Sequence, residues 1–70
     1  MIIKRSITIK GHSTSISLEP PFWDALHAVA VKRKMSVASL VSEIDIKRST
    51  TAKFGLSSAI RVFILEYYKN

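Results

Sequence analysis

Hydrophobic and polar residues alternate along the start of the chain in two stretches. The first alternates isoleucine with serine, threonine and lysine over residues 6–10, and the second alternates apolar residues with serine over residues 13–18. A period of two with many β-branched residues is typical of half-buried strands. The pattern therefore predicts strand structure on both sides of Gly11, which marks a turn, a bulge or a kink.

Three helices are predicted next, because from Pro21 onward the apolar residues recur at helical spacing. Ser36 is a good N-cap for the second helix, which we expect to end at about Lys47. The polar residues 48–55 are predicted to form a loop, and residues 56–70 a C-terminal helix. That last helix is apolar almost all round, which indicates burial on several sides.

The apolar positions of these elements define a predicted core that we expect to pack in a dimer. Its members are Ile16, Leu18, Trp23, Leu26, Val37, Leu40, Val41, Ile44, Ile60 and Phe63. A chain of 70 residues buries little surface by itself, although 47% of its residues are hydrophobic. A lone strand also needs a partner for its backbone groups. We therefore predict an obligate homodimer or a higher oligomer, in which the same strand of two subunits pairs as an antiparallel ribbon.

The chemical inventory argues against an enzyme. The chain has no cysteine and two glycines, so a cysteine nucleophile, a disulfide and a Gly-rich phosphate loop are excluded. No serine, histidine and aspartate have a spacing that predicts a catalytic triad, and neither a metal ion nor a cofactor is expected. The apolar runs are too short for a membrane span or a secretory signal, so we expect a cytoplasmic protein.

Positive charge is the strongest functional signal in the composition. Eleven lysines and arginines against five acids give a net charge of +6, and residues 1–18 contain no acid. Further basic groups lie at residues 32–34 and 47–48. Clustered positive charge on a small domain favours a polyanionic partner, usually nucleic acid. A merely solvated basic surface is the main alternative, and an anionic membrane surface is a weaker one.

Three segments in a fixed order carry a resemblance to a known family. They are TSISLEPPFWDAL at residues 14–26, MSVASLV at residues 35–41 and LSSAIRVFILE at residues 56–66. Together they resemble the short bacterial ribbon-helix-helix proteins of the Arc/MetJ superfamily, over about residues 4–69. The resemblance implies a mostly α fold with one short β ribbon, namely a ribbon-helix-helix with an extra C-terminal helix, in an intertwined homodimer. Residues 13–47 would form its core, and residues 1–12 a basic arm or an additional strand.

The resemblance also implies a function, a transcriptional regulator that binds double-stranded DNA at the nucleoid. One strand of each subunit would enter the major groove with Ser13, Ser15 and Ser17 facing the bases. The start of the second helix would hold a phosphate, a suitable site because its first N–H groups are unpaired. The residues assigned to that phosphate are Arg33, Lys34, Ser36 and Val37. Those assigned to the basic arm are Lys4, Arg5, Lys10 and His12.

Two departures from the family pattern affect these expectations. The turn at residues 33–35 lacks the glycine that usually takes the left-handed conformation, so we expect a turn of different shape. Three serines discriminate bases weakly, so specificity is either modest or supplied by Lys10, His12 and the arm. The alternative function is an antitoxin-like interaction module, in which the same dimer binds a partner protein.

Overall fold

Two strands and three helices follow one another along the chain. The computed structural model describes residues 1–51 and 55–69, with residues 48–51 described by their backbone alone. Its elements are the strands β1 (Ile3–Ile9) and β2 (His12–Leu18) and the helices α1 (Pro20–Lys32), α2 (Val37–Thr51) and α3 (Leu56–Lys69). This order confirms the predicted fold class, a β ribbon followed by two helices and an extra C-terminal helix. None of the described helices is long and apolar enough to cross a membrane.

Strands β1 and β2 form an antiparallel hairpin within one chain. Their register pairs Ile9 with His12 at the turn and Ile3 with Leu18 at the far end. The two turn residues, Lys10 (φ 52°) and Gly11 (φ 80°), both have positive φ, as a type I′ turn requires. The twist of such a turn matches the twist of the strands it joins. Of the two alternatives for residues 1–12, the structure therefore has the additional strand.

The hairpin corrects the premise that β2 lacks a partner in its own chain. The interchain ribbon was predicted because a lone strand leaves its backbone groups unpaired, but β1 pairs with β2 along its whole length. A two-residue connection closes such a pair locally, with a small loss of chain entropy. The backbone of β2 by itself therefore does not require a second subunit.

The buried side chains of the described residues form one hydrophobic cluster between the hairpin and the three helices. Of the ten predicted core residues, the buried ones are Ile16, Leu18, Leu26, Leu40, Val41, Ile44 and Ile60. Trp23, Val37 and Phe63 are partly buried and pack against the cluster. These residues pack together within one chain, and the dimer packing expected of them stays a prediction.

Helix α3 is covered on one side only. Ala59, Ile60 and Ile64 face the core, whereas 43% of Val62 and 63% of Leu65 remain exposed. The core of the described residues reaches one face of α3, and nothing in those residues covers the other. Burial of this helix on several sides would need a second chain, and it stays a prediction.

The turn between α1 and α2 contains a left-handed lysine. The N–H of Lys34 (φ 55°) donates to the carbonyl of Val31, and that of Met35 donates to the carbonyl of Ala30, both at 3.0 Å. These two bonds define a Schellman motif, whose left-handed position is usually glycine. The expectation of a differently shaped turn is therefore wrong. The usual turn forms with lysine in the glycine position, at a cost of about 1 kcal/mol.

Helix α2 extends beyond its predicted end. It continues to Thr51 instead of ending at about Lys47, so the predicted loop is wrong for residues 48–51. That segment is polar but contains neither proline nor glycine, the two residues that most strongly interrupt a helix. Residues 52–54 of the predicted loop lie outside the described residues.

The start of α3 is joined to the end of β2 by polar contacts. The N–H of Ser17 donates to Ser57 Oγ, and Arg61 Nη2 donates to the Ser17 carbonyl, both at 2.9 Å. Arg61 Nε also pairs with Glu19 Oε1 at 2.9 Å. A backbone hydrogen bond to Glu19 and the Arg61 guanidinium hold the pKa of the Glu19 carboxyl below its ordinary value, so this pair is intact at neutral pH. We refer to Ser57 and Arg61 as the α3 clamp.

Candidate nucleic-acid interface

One face of the hairpin is polar throughout. Side chains that are directly opposite in a β-ladder lie on the same face, and three such pairs point away from the core. They are Lys4 with Ser17, Ser6 with Ser15, and Thr8 with Ser13. Ser17 is half-buried and the other five are exposed. We call these six residues the polar face, and it brings Ser13, Ser15 and Ser17 together with three residues of β1.

The polar face has the chemistry of a surface that binds hydrogen-bonding partners. Its five hydroxyl groups both donate and accept, and its single ammonium group, on Lys4, only donates. None of its six members is acidic. The five hydroxyl-bearing side chains are also short, so the backbone of the ribbon can approach a ligand closely.

Arg5 lies on the opposite face of the hairpin from Lys4. It is paired with Ile16, and its guanidinium stacks over the Trp23 ring at 4.3 Å from the ring centroid. Its Nε is buried and has no hydrogen-bond partner among the described residues. Neighbouring strand residues point to opposite faces, so Lys4 and Arg5 cannot both belong to the expected basic arm. Arg5 is a packing residue of the core side.

Lys10 and His12 flank the tip of the hairpin. Lys10 is the first residue of the type I′ turn, and His12 is opposite Ile9 at the start of β2. Both side chains are exposed. His12 points to the face opposite Ser13, so Lys10 is better placed than His12 to act together with the polar face.

The start of α2 has two N–H groups without a partner in the described structure. Ser36 Oγ accepts a hydrogen bond from the N–H of Ser39 at 3.0 Å and donates one to Ser39 Oγ at 2.9 Å, which makes Ser36 the N-cap. No described residue accepts from the N–H of Val37 or Ala38. The Val37 side chain packs against the core, so Val37 would reach an anion through its backbone.

An open groove of about 330 Å³ connects the start of α2 with the polar face. The strand side of the groove includes Thr8, which is also a member of the polar face, and Lys10. The helix side includes Ser39 and Ser42, which were not among the predicted contacts. The full lining is Thr8, Ile9, Lys10, Ala38, Ser39 and Ser42. The groove therefore joins the two predicted sites into one continuous surface.

The two basic residues assigned to the phosphate differ in availability. The guanidinium of Arg33 is paired with the Glu43 carboxylate, with Nη1 at 2.9 Å from Oε2 and Nη2 at 3.2 Å from Oε1. Lys34 is exposed beside the start of α2. An exposed cation needs no rearrangement to meet an anion, whereas Arg33 must first leave Glu43. Lys34 is therefore better placed than Arg33 to contact a phosphate.

Comparison with known proteins agrees with the fold of the chain. A family model described as a ribbon-helix-helix domain matches residues 2–68, which is almost the whole sequence. The chain belongs to the ribbon-helix-helix family. In the other two comparisons, no curated protein and no solved structure matched the chain. Ribbon-helix-helix domains are generally DNA-binding regulators of transcription and are not typically enzymes.

In this ribbon-helix-helix protein, the ribbon of the described structure comes from a single chain. The family resemblance implied one strand from each of two subunits. In the single chain described, residues 3–9 pair with β2 along one edge, and pairing between subunits stays a prediction. Ser6, Thr8 and Lys4 are thereby added to the polar face. Their period-two spacing was visible in the sequence, but the pairing that places them beside the serines depends on the Lys10-Gly11 turn.

Proposed function

We propose that this ribbon-helix-helix protein is a homodimeric transcriptional regulator that binds double-stranded DNA in a sequence-dependent manner at the nucleoid. The observation that carries the proposal is the continuous surface formed by the polar face, the groove and the start of α2. A β-ribbon fits the major groove of B-DNA. The polar face would enter that groove, and the start of α2 would contact the adjacent backbone.

The side chains of the polar face favour weak base discrimination and strong dependence on phosphate contacts. Serine and threonine hydroxyls contact several base edges, whereas arginine, asparagine and glutamine pair bidentately with particular bases. The net charge of +6 supplies attraction to phosphate irrespective of sequence. We therefore expect a modest ratio of specific to non-specific affinity, with much of the binding energy sensitive to salt.

The phosphate contact would combine backbone and side-chain groups at the start of α2. The N–H groups of Val37 and Ala38 point out of the helix end, where the helix dipole favours an anion. Lys34 is exposed next to them, and Lys10 lines the groove from the strand side. A phosphate at this position fixes the orientation of the ribbon without reading sequence.

Exposed apolar side chains support the proposed homodimer. Val62, Leu65 and Tyr68 are 43%, 63% and 58% exposed on the uncovered side of α3. Val31 and Ile46 are further exposed apolar residues, at 76% and 49%. Side chains of this kind gain free energy when a second subunit removes them from water. Two subunits would also place two ribbons on one DNA site.

Selection of bound duplexes from a random DNA pool tests the function. We expect enrichment of a repeated half-site, inverted or direct, because a homodimer presents the same reading surface twice. Binding without enrichment would contradict sequence-dependent recognition. Absence of any binding at low salt would contradict DNA binding itself.

The Arg33–Glu43 pair provides a second test, since Glu43→Gln releases Arg33 without removing a cation. We expect the affinity for all duplexes to rise a few-fold, because an exposed ion pair is worth up to about 1 kcal/mol. The slope of log affinity against log salt should steepen by about one unit for each additional phosphate that the protein neutralises. Fluorescence anisotropy over a range of salt concentrations measures both quantities.

Asp24→Asn is the matched control for this variant. Asp24 is an exposed acid of α1, so its replacement changes the net charge by the same amount without releasing Arg33. A steeper slope in Glu43→Gln alone supports the role of Arg33. Equal changes in both variants would mean that net charge, and not a contact made by Arg33, is responsible.

A further inference from the structure

The alternation of the antiparallel ladder determines which backbone groups of the hairpin point outwards. The residues that flank a two-residue turn exchange both hydrogen bonds, here Ile9 and His12. Every second pair from the turn is then not hydrogen-bonded between the strands, and Lys4 with Ser17 is one of these pairs. The α3 clamp binds both backbone groups of Ser17 from outside the hairpin, as this phase requires.

On β1, the outward backbone groups belong to Lys4, Ser6 and Thr8, and we call this row the β1 edge. No described residue binds the outward N–H or carbonyl groups of these residues. A row of alternating donors and acceptors pairs fully with another extended polypeptide. Phosphate oxygens only accept hydrogen bonds, so they leave the outward carbonyls unpaired. The β1 edge therefore fits a peptide strand and not a phosphate backbone.

The space beside the β1 edge is open at its turn end. There the groove separates Thr8, Ile9 and Lys10 from α2. Residues that are opposite in a ladder share a face, so an added residue opposite Ile9 would point towards α2 and into the groove. It would meet the hydroxyls of Ser39 and Ser42 and the ammonium of Lys10, all of which donate hydrogen bonds. A carboxylate suits this position.

Charge selects an acidic occupant for the β1 edge. Residues 1–18 contain the cations Lys4, Arg5 and Lys10 and no acid. Among the described residues, none of these three cations forms an ion pair. Lys4 and Arg5 lie on opposite faces of β1, so both faces of an added strand would meet a cation. A second copy of β1 would bring the same cations into the interface, and lysine on an edge strand opposes such self-pairing.

We propose that the β1 edge is a docking site for an acidic, extended segment of a partner protein, which adds to the hairpin as a third strand. The pairing is antiparallel, the more stable arrangement per residue. Acidic side chains would lie in the groove opposite Ile9 and, at the other end, opposite Arg5 and Lys4. An apolar side chain would lie opposite Ile7, which is half-buried and packs against the core. The inference goes beyond DNA binding and depends on a single chain.

The probe for this site is a blocked, fluorescently labelled peptide of sequence Glu-Thr-Val-Thr-Glu-Glu. In antiparallel order its residues lie opposite Ile9 to Lys4, with the valine opposite Ile7 and the glutamates at the groove and at the cations. We expect saturable binding, measured by fluorescence anisotropy in low salt at up to about 1 mM protein. Replacement of the glutamates by glutamine should weaken binding at least about tenfold. Absence of saturable binding would overturn the proposal.

N-methylated peptides test the strand pairing without any change to the protein. The amides of the two threonines point towards β1, so their methylation removes hydrogen bonds to Thr8 and Ser6 and should weaken binding at least about tenfold. The matched control is methylation of the valine and of the glutamate opposite Arg5, whose amides point away from β1. That peptide should bind like the parent peptide. Equal effects of the two methylations would overturn the pairing.

Ser6→Pro tests the same pairing from the side of the protein. Proline removes the outward N–H of Ser6, and its ring obstructs the β1 edge, while the hydrogen bonds to β2 are retained. We expect at least about tenfold weaker peptide binding. Ser6→Ala is the matched control, because it removes the hydroxyl and keeps the N–H, and it should bind like the parent. Circular dichroism establishes that the variants are folded. If Ser6→Pro does not fold, the methylated peptides decide the outcome.

Two further results would overturn the docking site. Binding that is weakened by the glutamine peptide but is insensitive to both Ser6→Pro and threonine methylation would mean attraction to a basic surface only. Light scattering without peptide identifies the other occupant, a second copy of the chain. An average mass that rises with concentration in the parent protein, but not in folded Ser6→Pro, would mean that the β1 edge pairs with itself.

Discussion

Ser15→Glu should abolish DNA binding in a folded protein, whereas Ile16→Glu should unfold it. Ser15 is exposed on the polar face, so in a dimer the variant adds two carboxylates to the surface proposed to enter the major groove. Opposed like charges at an interface cost several kcal/mol, and we expect a loss of affinity of roughly a hundredfold or more. Its melting temperature should change little.

Ile16 differs from Ser15 in the face it occupies. It is 1% exposed and lies within the hydrophobic cluster. An unpaired carboxylate at that position costs several kcal/mol, which is a large part of the stability of a small domain. Circular dichroism melting and fluorescence anisotropy separate the two outcomes.

Ser58→Glu is the control for Ser15→Glu, because it adds the same charge at an exposed position of α3. It should weaken binding far less than Ser15→Glu. Equal losses in the two variants would mean that net charge is responsible and that the polar face does not contact DNA. Normal DNA binding by the Ser15→Glu variant would exclude the ribbon as the surface that contacts the bases.

Replacement of Lys34 should change stability and DNA affinity in opposite directions. Lys34→Gly relieves the left-handed conformation at φ 55°, and we expect the protein to gain about 1 kcal/mol of stability. For a domain of this size that gain raises the melting temperature by roughly 4–8 °C. The variant also loses a cation beside the start of α2, so the slope of log affinity against log salt should become shallower by about two units per dimer.

Lys34→Ala separates the two effects, since it removes the charge and retains the strained backbone. Its melting temperature should stay near that of the parent, while its salt dependence should match that of Lys34→Gly. An unchanged salt dependence in both variants would exclude Lys34 from the phosphate contact. A lower melting temperature for Lys34→Gly would mean that the lysine side chain stabilises the turn.

The elements of the fold were predictable where hydrophobic spacing is regular. The apolar stripe of α2, with Leu40, Val41 and Ile44, predicts which face of that helix packs against the core, independently of the other elements. The end of α2 was not predictable in this way, because residues 48–51 have no apolar period and also no helix breaker. The type of the hairpin turn was equally difficult to predict, because lysine is not among the residues that favour positive φ.

Within the candidate site, the local sequence pattern predicted which residues share a face, but it did not predict contacts between residues that are distant in the sequence. The alternation of Ser13, Ser15 and Ser17 with apolar residues predicted their common face, and the hairpin register has them there. The stacking of Arg5 on Trp23 and the contact of Arg61 with Ser17 join residues that are far apart in sequence. Contacts of that kind depend on how whole elements pack, which no local spacing encodes.

The type I′ turn at Lys10-Gly11 has a consequence for the order of assembly. Hairpins with short turns close within microseconds and independently of concentration. Because both ribbon strands belong to one chain, each subunit can complete its reading surface before it meets another. Association would then add stability by mass action to a ribbon whose two strands are already paired. Dimer formation in this protein would join two complete hairpins, so the strand pairing of each ribbon would not depend on protein concentration.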